Sequence, residues 1–146
     1  MSLRFHNQKK QIMKGALNIG FKIIGVKVLP NCPEHIHKVL KPDRTYFFYE
    51  GYEEVSENCV RRVGESEDLR IYDVEGKNGT IRINVCAVVG RNGEGKSTLI
   101  ELVLRILNNF ANYLGFSYSQ DSLRMVDYLC AVLFYEIDGI LFSIRS

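Results

Sequence analysis

The sequence predicts an α/β fold in which mostly antiparallel β hairpins lead into a strand, a glycine-rich loop and a helix. Three features of its 146 residues carry that expectation. Asn78-Gly79 and Asp138-Gly139 each stand between two runs of apolar residues, the pattern of a tight hairpin. Val85-Cys-Ala-Val-Val89 is apolar without interruption, as in a strand covered on both faces. Leu99, Leu102, Val103, Ile106, Leu107 and Phe110 recur with the period of an amphipathic helix.

Taken in order, residues 1–16 form a basic N-terminal tail, with Arg4, Lys9, Lys10 and Lys14 and no acid in the first fourteen positions. Leu17–Leu29 reads as a long strand whose apolar parity slips from Ile19/Phe21/Ile23 to Ile24/Val26/Val28, which predicts a bulge at Ile23-Ile24. Pro30 and Pro33 end it, and a polar loop follows. Thr45-Tyr-Phe-Phe-Tyr49 is a second strand, closed by Gly51, and Cys59–Val63 adds a further one. Leu69–Val74 and Thr80–Val85 pair across Glu75-Gly-Lys-Asn-Gly79 as a hairpin. The second arm alternates at Ile81, Ile83 and Val85 and then becomes wholly apolar, so it is expected to run into the centre of a covered sheet. The helix ends at Gly115, a C-terminal cap, and Leu129–Ile137 with Ile140–Arg145 form the last hairpin about Asp138-Gly139.

Between the apolar strand and the helix lies Gly90-Arg-Asn-Gly-Glu-Gly-Lys-Ser97, which satisfies G-x-x-x-x-G-K-[ST], the phosphate-binding P-loop or Walker A motif. At average residue frequencies its four fixed positions coincide by chance in roughly one chain in a few hundred of this length. Glycines at 90, 93 and 95 let the backbone take positive φ and turn successive N–H groups inward as an anion nest. Lys96 is expected on the β- and γ-phosphates, the Ser97 hydroxyl on Mg²⁺, and Thr98 beside the α-phosphate, with Asn92 and Gly93 in the cradle. The dipole of the following helix favours the same charge. Glu94 is the odd member, since a carboxylate beside phosphates is repelled. It fits if its N–H faces inward and its side chain points to water. The expected ligand is therefore a nucleoside triphosphate with Mg²⁺.

Composition narrows the remaining classes. At 46% hydrophobic and 25% charged residues, the chain is an ordinary single domain able to bury a core. No apolar run approaches a membrane span, and the first residues lack a signal peptide, so the expectation is a cytoplasmic protein. Cys32, Cys59, Cys86 and Cys130 form no C-x-x-C pair and read as reduced core thiols. Cys32-Pro-Glu-His-Ile-His37 offers three metal-binding side chains, with His35 and His37 on the same side if extended, but no fourth ligand. A polar loop is the preferred reading. A hydrolase of this type also needs a Walker B motif, four apolar residues ending in an Asp for Mg²⁺. The nearest candidate, Val132-Leu-Phe-Tyr-Glu136 with Asp138 beyond, is read instead as a hairpin.

Gly90-Arg-Asn-Gly-Glu-Gly-Lys-Ser-Thr-Leu99 resembles the Walker A of ABC-type ATPases. The early Phe21–Val28 strand and the late Val132–Arg145 hairpin are similar to segments of the SMC, RecN and RecF-type branch of these AAA-family ATP-binding proteins. The resemblance implies that residues 17–146 are a P-loop NTPase N-terminal lobe, truncated before Walker B, whose ligands are ATP and Mg²⁺. It also implies a second ATPase head or homodimer that sandwiches nucleotide, and DNA or a nuclease as partner. An aromatic ahead of the P-loop stacks on adenine in transporters of this class. Tyr49, Tyr52 and Tyr72 are the candidates here, with sheet packing preferred. Two other readings are a complete small P-loop kinase or GTPase, which needs Glu136 or Asp138 on Mg²⁺, and a non-catalytic module that binds DNA or protein through the basic tail or the aromatic sheet.

Overall fold

Runs of alternating apolar residues produce one antiparallel sheet with a different partner on each face. The computed structural model describes residues 20–64, 72–76, 79–83, 85–115 and 124–146, so the basic tail lies outside it. The elements are β1 (Phe21–Val28), α1 (Glu34–His37), β2 (Arg44–Phe47), β3 (Tyr52–Ser56), β4 (Cys59–Arg62), β5 (Tyr72–Gly76), β6 (Gly79–Ile83), α2 (Lys96–Tyr113), β7 (Ala131–Ile137) and β8 (Ile140–Arg145). The main sheet has the order β2-β1-β7-β8, and every pairing in it is antiparallel. Hairpins β3-β4 and β5-β6 form two further small sheets.

The face of the main sheet toward α2 and α1 gathers Val26, Val28, Ala131, Leu133 and Tyr135 against Leu99, Leu102 and Ile106 of α2 and Ile36 of α1. Burial of each of those α2 side chains stabilises the fold by about 1.5–3 kcal/mol. The opposite face packs Ile24, Val132 and Phe134 against Tyr52 and Val60 of the β3-β4 hairpin. Covered on both sides, β7 buries every residue from Ala131 to Glu136. Asn109, nearly inaccessible on α2, donates from Nδ2 to the Val126 carbonyl at 2.8 Å and accepts from the Val126 N–H at 2.8 Å, tying residues 124–129 to the helix.

The bulge expected in β1 is present as a register shift between Ile23 and Gly25 against β7. Its consequence differs in detail from the parity reading. Ile23, Val26 and Val28 share the helix side, and Ile24 turns to the hairpin side. Just after it, a Cβ on Gly25 would stand 2.6 Å from the Tyr46 carbonyl oxygen, so the close approach of β2 requires glycine there. The Asp138-Gly139 hairpin is also present. Both residues have positive φ (51° and 81°), as a type I′ turn demands, and Ile137 pairs with Ile140. The β5-β6 hairpin pairs Gly76 with Gly79, while Lys77 and Asn78 lie outside the described residues.

The predicted P-loop NTPase lobe is not what the chain forms. Antiparallel sheets dominate the described residues, with one sizeable helix, and among those residues no strand feeds the glycine-rich loop. Residues 85–91 are irregular, with Val85 69% and Val89 86% exposed. The physical reason lies in pairing. An uninterrupted apolar strand needs neighbours on both edges and cover on both faces, whereas the strands nearest α2 are already joined to one another antiparallel. Parallel neighbours for 85–89 would have to come through crossover connections, and none exists among the described residues. Cys86 is accordingly exposed rather than a core thiol, and Cys59 is exposed as well.

Candidate functional site

No described strand precedes Gly90–Ser97, and Gly90 does not take the positive φ expected of it. Gly93 and Gly95 hold φ of 84° and 90°, a region that side chains rarely enter. Gly95 is also the N-cap of α2, and a Cβ there would meet side-chain atoms of Leu40 and Val39 at 2.8 and 2.9 Å. The loop thus sits on the segment that follows α1. Lys38 reinforces the join by pairing with Glu101 of α2 at 2.7 Å, and that ion pair together with the Arg105 charge holds the Glu101 carboxyl below its ordinary range.

Lys96 turns back over the loop. Its ammonium donates to the carbonyls of Gly90 at 2.5 Å and Arg91 at 2.7 Å. No side chain caps the start of α2, and its first turn carries no acid. The orphan N–H groups of Lys96, Ser97 and Thr98 therefore meet the loop without a covalent counter-charge in the helix itself. Ser97 is exposed and opens onto a groove of about 600 Å³ that runs along α2 past Ile100, Leu104, Arg105 and Arg124. Asn92 and Gly93 are exposed at the loop tip, while the Thr98 side chain is buried.

Glu94 departs from expectation. Its N–H donates to the Arg91 carbonyl at 3.3 Å rather than standing free, and its carboxylate, though exposed, folds back so that Oε2 accepts the Arg91 N–H at 2.7 Å.

The acidic residues considered for a Walker B are committed elsewhere. Glu136 is buried and accepts from the Arg62 guanidinium at 2.7 Å and from the Tyr52 hydroxyl at 3.0 Å. Asp138 accepts the Gly20 N–H at 2.8 Å through Oδ1 and donates its own N–H to the Gly20 carbonyl at 3.0 Å. Asp138→Ala is expected to cost about 1–2 kcal/mol, one hydrogen bond plus left-handed strain, and to leave any affinity of the chain for nucleotide unaltered. A denaturant melt with a nucleotide titration checks both halves; an affinity loss would return Asp138 to the metal.

Two of the three aromatic candidates are already engaged. The Tyr49 ring lies under the Lys22 ammonium at 3.9 Å, Tyr52 is buried with Glu136, and the side chain of Tyr72 lies outside the described residues. The Cys32–His37 segment is not extended. Residues 34–37 make a helical turn, which sets His35 and His37 about 200° apart around its axis. Cys32 is buried with its thiol 3.4 Å from the Leu129 carbonyl, and burial, with the nearby Cys130 adding to it, pushes that thiol up to about 11. Among the described residues no group of three or more His, Cys, Asp or Glu is placed to hold a metal.

Sequence reasoning missed α1 and β3. A four-residue helix is too short to show a period, and Tyr52–Ser56 carries two glutamates, so neither has an apolar signature. Within β3, Glu54 acts as a counter-ion. With Asp43 it neutralises the buried Lys27, at 2.5 and 3.0 Å. Burial opposes the Lys27 charge, but those two hydrogen bonds outweigh it and its pKa is raised. Among the described residues no helix is long and apolar enough to cross a membrane. No family model, curated protein or solved structure matches the chain.

Proposed function

We propose that the chain binds a nucleoside triphosphate, ATP with Mg²⁺, through residues 90–98, as the nucleotide-binding part of an ATPase of the ABC/SMC class. The observation that carries this reading is Lys96. It opens an uncapped 18-residue helix, where a cation is opposed by the helix dipole, and among the described residues its ammonium has only loop carbonyls for partners. A local rule broken in this way, with no gain in packing, is what a binding site requires.

The residues present fit a triphosphate. Lys96 supplies the charge that the terminal phosphates need, the N–H groups at the start of α2 supply donors, and the exposed Ser97 hydroxyl is the metal ligand. Bound Mg²⁺ would neutralise phosphate charge and link it to Ser97. Binding, not turnover, is the activity assigned to this chain, because Glu136 and Asp138 are held by Arg62, Tyr52 and Gly20. The same commitments weigh against the kinase or GTPase reading. A second ATPase head, DNA or a nuclease are the partners that go with this class.

Calorimetric titration of the chain with Mg-ATP and with Mg-GTP tests the reading. Saturable binding of ATP, with GTP weaker, is expected; a folded chain that takes up neither nucleotide would end it.

A further inference from the structure

We propose that the Glu94 carboxylate is a built-in competitor for the phosphate loop, an anion that holds the loop's donor in the free chain and must swing out before a phosphate is bound. This rests on the nucleotide reading of residues 90–98.

Two contacts set the carboxylate against the loop, and a third brings Lys96 to the same place. Oε2 accepts the Arg91 N–H at 2.7 Å, a charge-assisted bond to a donor of the loop itself. A Cβ built on Gly90 would lie 2.8 Å from the same oxygen, so the carboxylate rests against the bare face of that glycine. The same Cβ position is also 3.8 Å from the Lys96 side-chain stem, the residue whose ammonium covers the Gly90 and Arg91 carbonyls. Glycine, backbone donor and lysine thus converge on a space that already contains an anion.

The reach is set by chain geometry. A glutamate three residues after a free N–H folds back to accept it, as in the return arm of a capping box. Glutamine at 94 keeps that reach without the charge. Aspartate keeps the charge but is one methylene too short. Alanine removes both.

The consequence is a threshold for ligands. If the loop is open for only a fraction of the time, every phosphate ligand binds more weakly by that fraction. Mg-ATP, with several phosphate oxygens and a metal, survives the reduction, whereas inorganic phosphate falls out of range. Glu94 therefore keeps an exposed anion nest from filling with the commonest small anion.

The test is a calorimetric series with Mg-ATP on the wild-type chain, Glu94→Gln, Glu94→Asp, Glu94→Ala and Lys96→Ala, each first shown to be folded by circular dichroism. Glu94→Ala is expected to bind about tenfold more tightly than wild type, Glu94→Gln to fall between them, and Glu94→Asp to tighten as well because it no longer reaches Arg91. Inorganic phosphate should bind measurably only to Glu94→Ala. Equal affinities for wild type and Glu94→Ala, with binding lost in Lys96→Ala, would overturn the competitor and leave the nucleotide site standing. Glu94→Asp matching wild type while Glu94→Ala tightens would reduce Glu94 to a distant charge and overturn it too. Folded variants that take up no Mg-ATP in any form would remove both proposals together.

Discussion

Replacing Lys96 by alanine is expected to weaken Mg-ATP binding by about a hundredfold, or about 2.8 kcal/mol, while the fold is unharmed. The loss follows from one charge. Hydrogen bonds to charged partners contribute about 1.5–3 kcal/mol each, and the ammonium is held over the loop, bonded at 2.5 and 2.7 Å to the carbonyls of Gly90 and Arg91. The stability terms run the other way. Both acceptors lie in exposed loop that water can satisfy, alanine is the better helix former, and removing a cation from the first turn relieves the helix dipole. Thermal unfolding should move by no more than about 2 °C, or upward. A variant that binds Mg-ATP as well as the parent would show that the loop carbonyls, and not a phosphate, are the whole purpose of Lys96. A variant that unfolds would show instead that Lys96 braces the loop against α1, a role that the positions of Lys38 and Gly95 already fill.

Much of the fold was legible because it rests on local rules. The bulge at Ile23-Ile24 could be read from a slip in apolar parity, and the β7-β8 hairpin from Asp138-Gly139, since two residues that tolerate positive φ between apolar runs leave few other conformations. Helix α2 followed from the spacing of Leu99, Leu102 and Ile106, the three apolar side chains it buries. The strand expected at Val85–Val89 failed for a reason that no local rule contains. An apolar run reports that a segment needs cover, but not that a strand edge is free to pair with it, and none of the described strands is hydrogen-bonded to this one. The site divides in the same way. Gly93 and Gly95 take the expected positive φ and Lys96 opens the helix, because both are properties of the loop alone. The Thr98 side chain is buried and the Glu94 carboxylate folds back on Arg91, since those outcomes depend on what the core and Arg91 offer them. The short α1 and the glutamate-bearing β3 were invisible, yet the segment after α1 holds the loop and β3 neutralises Lys27.

Phe134→Ala is expected to destabilise the chain by about 3–5 kcal/mol, a large share of the roughly 5–15 kcal/mol typical of a domain. Phe134 is 1% exposed on β7, and its ring fills the space between the main sheet and the β3-β4 hairpin beside Ile24, Tyr52 and Val60. Truncation leaves a cavity, and the hairpin that closes over it also supplies Tyr52 and Arg62 to the buried Glu136. Partial collapse of the hairpin would therefore strand a carboxylate, which places the cost toward the upper end of the range. The loop at residues 90–98 lies with α2 on the other side of the sheet, and none of its described contacts passes through Phe134. Binding and stability should then combine by simple linkage. Mg-ATP at about a hundredfold excess over its Kd would return about 2.7 kcal/mol to wild type and variant alike. Urea unfolding of both proteins, with and without nucleotide, measures the free energies needed. Equal increments would place the ligand on the helix side of the sheet, in an independent site. An increment that vanishes in the variant would mean that the ligand is held by the hairpin face instead, and the loop at residues 90–98 would lose its role.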